Sequence, residues 1–210
     1  MTYKLQDKEW LRFTIQISGT FDPAIINQLW LKEHNLIGDE ENIKLQNSIF
    51  TETGLSFETL LFKFQCNTNT MRVDVKTFEA SNVADSFLKG ILSLLVYTRL
   101  KEAFVVVSSH LVSSNEEKVT NFFDSFSNVK YKDSLKVESI EDYSFWSNGN
   151  NVMIGRCPSD ANHLFMTMTS RKKFNESSHS TKKCIDFLNE NDNFRNDSIS
   201  YIVNLKEIIS

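Results

Sequence analysis

The chain has 210 residues, long enough to bury roughly 70% of its unfolded surface and to hold a core without disulfide or metal staples. Its 40% hydrophobic content, with 17 phenylalanines, excludes a disordered chain. A net charge of −4 argues against a broad basic surface and against non-specific nucleic-acid binding as the main role.

In chain order, Trp10 to Ser18 alternates apolar and polar residues and predicts a strand ended by Gly19. Asp22-Pro23 reads as a helix entry, with Ile26, Leu29, Trp30 and Ile37 as the buried stripe and Gly38 as the stop. Asp39 to Glu41 reads as a solvated loop, and residues 43–53 as one irregular strand.

The stretch from Phe57 to Val107 organises the rest. Leu60, Phe62, Phe64 and Cys66 alternate with Leu61, Lys63 and Gln65, which predicts a single strand with one buried face. Asn67 to Thr70 reads as a hairpin loop, and Met71, Val73 and Val75 alternate along the return strand. Asn82 is the expected cap of a helix that carries Val83, Phe87, Ile91 and Leu94, with Leu88, Leu92, Val96 and Leu100 outside that stripe. Phe104 to Val107 is a β-branched run of the kind found in buried strands.

Beyond it, Val119, Phe122, Phe123 and Phe126 stand at i, i+3, i+4 and i+7, the core face of a helix over about 115–126. Residues 130–142 give no clear pattern. Tyr143 to Ser147, Val152 to Cys157 and His163 to Arg171 read as strands, the first two joined by a turn at Asn148-Gly149-Asn150. A helix is expected over 180–189. The tail, Ser198 to Ile209, is apolar enough to dock but does not choose between strand and helix.

These elements predict an α+β fold: a single domain over 1–210 with a mainly antiparallel sheet and helices on one face. The order strand, helix, three strands, helix occurs twice. The match of Ser18 to Ser108 and of Cys66 to Cys157 at nearly one offset suggests an internal duplication with halves 9–103 and 104–205, related by a pseudo-two-fold.

Chemical signals are few. Cys66, Cys157 and Cys184 are odd in number and widely spaced, as expected of reduced thiols in the cytoplasm or nucleus. Residues 1–9 have no apolar stretch behind a basic end, so no signal peptide is expected, and no segment reads as a membrane span. Ser108-Ser109-His110 and Ser177-Ser178-His179 juxtapose nucleophile and base, but no nucleophile elbow surrounds them. Cys157 with Arg156 and His163 offers a thiol beside a cation. Asp74-Val75-Lys76, with Glu58 or Asp85, has the acid-x-Lys pattern of metal-dependent nucleases. His34 and His110 have no partner at metal spacing, so neither a metal ion nor a cofactor is expected.

With no convergent catalytic signature, the sequence favours a non-enzymatic binding, adaptor or regulatory protein that works with another protein. Tyr143, Phe145 and Trp146 are the expected anchors for that partner. The alternative is a nucleic-acid binder using Arg171, Lys172, Lys173, Lys182 and Lys183, with the nuclease third.

Overall fold

A computed structural model describes residues 8–38, 46–124, 139–141, 144–147, 149–157, 160–175 and 179–210. The strands are β1 (Trp10–Gly19), β2 (Gln46–Phe50), β3 (Gly54–Glu58), β4 (Phe62–Asn67), β5 (Thr70–Val75), β6 (Leu100–Val112), β7 (Ser139–Glu141), β8 (Ser144–Ser147), β9 (Asn150–Cys157) and β10 (Asp160–Lys173). The helices are α1 (Gln28–Glu33), α2 (Ser81–Leu94), α3 (Glu116–Asp124), α4 (Ser180–Asn189) and α5 (Asn191–Ile209). The fold is α+β with an antiparallel sheet.

The chain divides into two compact units. The amino-side unit holds residues 12–105 and 171–191; the carboxyl-side unit holds 1–11, 106–170 and 192–210. Helix α4 belongs to the amino-side unit, and residues of β1, β6 and β10 are divided between the two.

In the amino-side unit, β2, β3, β4, β5, β1 and β6 lie in that order. Register explains the burial. Ile15, Val73, Phe64 and Phe57 form one row across four strands, and all four are fully buried. The ring of Phe87 on α2 covers this face, with its centroid 4.8 Å from that of Phe62 and 5.1 Å from that of Phe64. The adjacent rows, one residue out of phase, point to the other face, as the two-residue period of a strand requires.

Several boundaries differ from the sequence reading. The single strand expected from Phe57 is two, because the Thr59 hydroxyl accepts from the amides of Leu61 and Phe62 at 3.1 Å and turns the chain, leaving Leu60 exposed. The Asn67 loop is as expected: its side-chain oxygen accepts from the amides of Asn69 and Thr70 at 2.8 Å. Asp22 caps only a local turn. Asn27 caps α1, accepting from the Trp30 amide at 3.0 Å, so the helix starts later and buries Leu31 while Leu29 is exposed. Helix α2 starts at Ser81 behind a 3-10 turn over Phe78–Ala80 and stops at Leu94, and Leu100 opens β6 instead of continuing the helix. Ser180 at the start of α4 holds this connection: its hydroxyl accepts from the Leu100 amide at 3.0 Å and donates to the Thr98 carbonyl at 3.2 Å.

In the carboxyl-side unit, β6, β10, β9, β8 and β7 are neighbours in that order. Phe145, Val152 and Met168 form a fully buried row, with Ile154 and Met166 as a second pair. Gly149, at φ +74°, supplies the left-handed residue of the turn between β8 and β9. The undecided tail is helix α5. It buries Tyr201, Ile202, Leu205 and Ile209, and the Tyr201 hydroxyl bonds that of Ser147. Lys206 pairs with the buried Glu9 and donates to the Val112 carbonyl, and the Val112 amide donates to Glu9 at 3.0 Å. A buried ion pair of this kind holds only because every charge finds a partner. Phe126 and most of residues 130–142 lie outside the described residues.

Candidate functional site

The carboxyl-side unit carries the more unusual surface. On the face opposite the Phe145 row, register places Ser144, Met153 and Thr167 in one line, Trp146, Asn151 and Thr169 in the next, and Gly155 beside Phe165. Three large apolar side chains from three adjacent strands are left uncovered: Met153 at 55%, Trp146 at 42% and Phe165 at 38% exposure. Gly155 enlarges the patch, since a methyl group there would meet nothing within 4 Å.

The sequence's aromatic trio separates by strand parity. Trp146 is on this surface. Phe145, expected as an anchor, is fully buried beside Val152, because consecutive residues of a strand face opposite ways. Tyr143 lies outside the described residues. Met153 and Phe165 were missed as site residues. Their alternation with Ile154 and Met166 was legible, but both faces of β9 and β10 are apolar there, so the pattern did not tell inside from outside.

Next to Phe165 is a histidine pair that sequence reading also missed, because His110 and His163 are 53 residues apart and the Lys8 carbonyl that His110 meets is 102 residues from it. His110 Nδ1 lies 2.8 Å from the carbonyl oxygen of Lys8, and His110 Nε2 lies 3.0 Å from His163 Nδ1. His163 Nε2 is in turn 3.1 Å from Asp160 Oδ2. The Trp10 indole stacks on His110 with centroids 5.9 Å apart, and the Phe165 ring is 4.8 Å from the same imidazole. Lys8 holds φ at +68°, a left-handed conformation unusual for a lysine, just where its carbonyl meets His110.

Three of the four ring nitrogens are hydrogen-bonded, and the fourth, His163 Nε2, stands beside the exposed carboxylate of Asp160. The Ser108 hydroxyl faces Thr167 at 3.4 Å, and Ser109 is fully buried. Ser177 and Ser178 lie outside the described residues. Arg156, expected beside a reactive Cys157, lies over the Phe123 ring at 5.0 Å. Burial pushes the thiols of Cys66 and Cys184 up to about 12, which makes them poor nucleophiles. His34 meets the Trp30 ring edge to face at 4.8 Å.

The acid-x-Lys pattern is spent on surface pairing. The Arg72 guanidinium grips Asp74 through two nitrogens at 2.7 and 2.8 Å, and the Thr14 hydroxyl donates to the same carboxylate at 2.8 Å. Lys76 pairs with Glu58 at 3.4 Å and donates to the Thr59 carbonyl at 2.6 Å. Asp85 is buried on α2, away from this face. Among the described residues, no group of three or more histidine, cysteine or acidic side chains is placed to hold a metal ion.

Of the basic residues, Arg171 is bound to Glu102 at 2.5 Å and lies over the Phe104 ring. Lys172, Lys173 and Lys183 line a cleft of about 430 Å³ with Phe174 and Phe187, but Asp186 and Glu190 line it too. Lys182 is exposed on α4 outside that lining. A second cleft of the amino-side unit, about 610 Å³, is lined by Phe21, Ile25, Leu94, Val96 and Tyr97 with Asp22 and Arg99. No helix among the described residues is long and apolar enough to cross a membrane.

Compared with known proteins, the chain matches no protein-family model and no curated protein sequence.

Proposed function

We propose that the chain is a non-enzymatic binding protein that docks a protein partner on the uncovered sheet face of its carboxyl-side unit, around Trp146, Met153 and Phe165. One observation carries this reading: three large apolar side chains from neighbouring strands are exposed together on a face where solvated polar residues are the usual occupants. Aromatic and methionine side chains are enriched at the centres of such interfaces and hold a disproportionate share of the binding energy. Both nitrogens of His110 are hydrogen-bonded within the fold, which weighs against its use as a catalytic base on the same face. Three free cysteines, two of them buried, fit a reducing compartment such as the cytoplasm or nucleus.

The test places a photo-crosslinking residue at Met153 and, separately, at Gln65 in the amino-side unit. The protein is then run by size exclusion with light scattering, with and without cell extract. The reading requires one defined adduct from position 153, no adduct from position 65, and loss of the adduct in Phe165→Lys. A monomer that joins no complex, or equal crosslinking from both positions, overturns it.

A second reading rests on Lys172, Lys173 and Lys183 around one cleft: binding of nucleic acid through its phosphates. Its affinity would fall steeply with salt. Binding to a labelled oligonucleotide that is absent at low salt, or indifferent to salt, removes it.

A further inference from the structure

Gly155 stands in the interior of β9, where a glycine gives up side-chain packing and weakens the strand. Such a glycine marks a bulge, a tight bend or a close approach by a ligand or another chain. The backbone here is regular. Pairing runs in step from Asn151 opposite Thr169 to Arg156 opposite Leu164, with Gly155 opposite Phe165. Its φ lies outside the left-handed region, which among the described glycines belongs to Gly149. No neighbour crowds the position, since a Cβ there would meet nothing within 4 Å. The fold itself would therefore accept a larger residue, and close approach from outside is what remains.

Within a sheet, an aromatic side chain on the neighbouring strand can lean over a glycine and cover it. Phe165 holds that cross-strand position, but its ring packs toward β6 and β1. Its centroid lies 4.8 Å from that of His110 and 6.1 Å from that of Trp10. Gly155 is left as a shallow notch, with Phe165 across the strand pair and Met153 two residues along the same face. We infer that the docking surface proposed above holds its partner through an uncharged aromatic side chain laid over the bare backbone of Gly155, between Met153 and Phe165. The inference rests on that docking reading.

Shape and charge select this occupant. A flat ring can lie on the bare glycine backbone, meet the Phe165 ring and touch the Met153 sulfur, and both of those contacts favour an aromatic group. The surrounding positions of this face on β8, β9 and β10 are Ser144, Trp146, Asn151, Thr167 and Thr169, all uncharged. The flanking charges are engaged elsewhere: Arg156 lies over the Phe123 ring and Asp160 stands beside His163. A charged side chain seated over Gly155 would lose its water and gain no opposite charge in return.

The test uses the full chain with ¹³C-methyl-labelled methionine, titrated with the side-chain analogues indole and p-cresol and with the charged analogues n-butylammonium and propionate. The Met153 methyl signal, identified by its loss in Met153→Leu, should shift with the two aromatic probes and not with the charged ones. Gly155→Val fills the notch while adding apolar surface. Its urea midpoint should equal or exceed that of the parent, because valine suits a strand better than glycine. Affinity for indole should nevertheless fall by about tenfold or more, the loss expected when a central pocket is filled. The crosslinked adduct from position 153 should be lost in the same variant. Indole binding equal in parent and Gly155→Val, no shift with either aromatic probe, equal shifts with the charged analogues, or a lowered urea midpoint overturns the inference. An adduct retained in Gly155→Val also overturns it but leaves the docking reading standing, whereas no adduct from the parent removes both.

Discussion

The uncovered faces of the two units obey the same strand parity and end with opposite chemistry. In the amino-side unit the register row reads Thr14, Asp74, Lys63 and Glu58, and the next reads Gln16, Arg72, Gln65 and Ser56. The residues of these rows on β1, β5, β4 and β3 are all polar or charged, and Asp74 and Glu58 each have basic partners. The one apolar member is Ile49 at the β2 end of the second row, paired with Ser56 and exposed. In the carboxyl-side unit the corresponding positions include Met153, Trp146 and Phe165, with the histidine pair beside them. The first is how an antiparallel sheet normally meets water. The second leaves apolar area in solvent, and the proposed docking surface is placed there for that reason.

The covered rows should behave alike in both units, and this gives the largest expected effect. Phe64→Ala and Phe145→Ala each remove a fully buried ring, and each is expected to cost about 3–5 kcal/mol. Urea unfolding measures it. Trp146→Ala, one residue along the strand and 42% exposed, should stay within about 0.5 kcal/mol of the parent. If Phe145→Ala were the harmless change and Trp146→Ala the damaging one, the assignment of faces in the carboxyl-side unit would be inverted.

A smaller effect concerns pH. Burial holds the Cys66 and Cys184 thiols protonated until about pH 12, whereas an unfolded cysteine ionises near pH 9. Above pH 9 the unfolded chain therefore binds fewer protons than the folded one, and stability falls as pH rises toward 12. At pH 10 the loss is about 1 kcal/mol for each thiol. Comparing urea midpoints at pH 8 and pH 10, a Cys66→Val, Cys184→Ala variant should lose less stability than the parent over that interval. An identical loss in both would mean that the thiols are not buried as described.

Much of the fold was legible because most strands alternate cleanly. Ile15, Val73 and Phe64 were assigned to the core from period alone, and α4 was placed at its observed ends. Errors gathered where a single side chain overrides the pattern. Thr59 breaks an apparent strand with its hydroxyl, and Asn27 takes the cap that Asp22-Pro23 seemed to offer. The site was legible only in part. Trp146 was named, but Phe145 was named with it, since adjacency in sequence says nothing about which of two neighbours faces out. His110 has no partner at metal spacing in the sequence, and its contacts are far from it along the chain. Chain topology alone brings it to His163 and to the carbonyl of Lys8.

The smallest effect sharpens the contrast between the faces. Asp74 has the best geometry of any acid on the polar face, with a two-pronged guanidinium and a hydroxyl, yet about a third of its side chain is exposed to solvent. Ion pairs in that setting contribute about 0.2–1 kcal/mol, because water and side-chain entropy offset most of the attraction. Asp74→Ala should therefore shift the urea midpoint only slightly, and the shift should shrink further in 1 M salt, where the screening length is about 3 Å. Partner capture at Met153 should be unchanged in the same variant. A large, salt-insensitive loss of stability would mean that Asp74 supports more than a solvated surface. A loss of partner capture with stability intact would put the polar face in the binding site and erase the distinction between the two units.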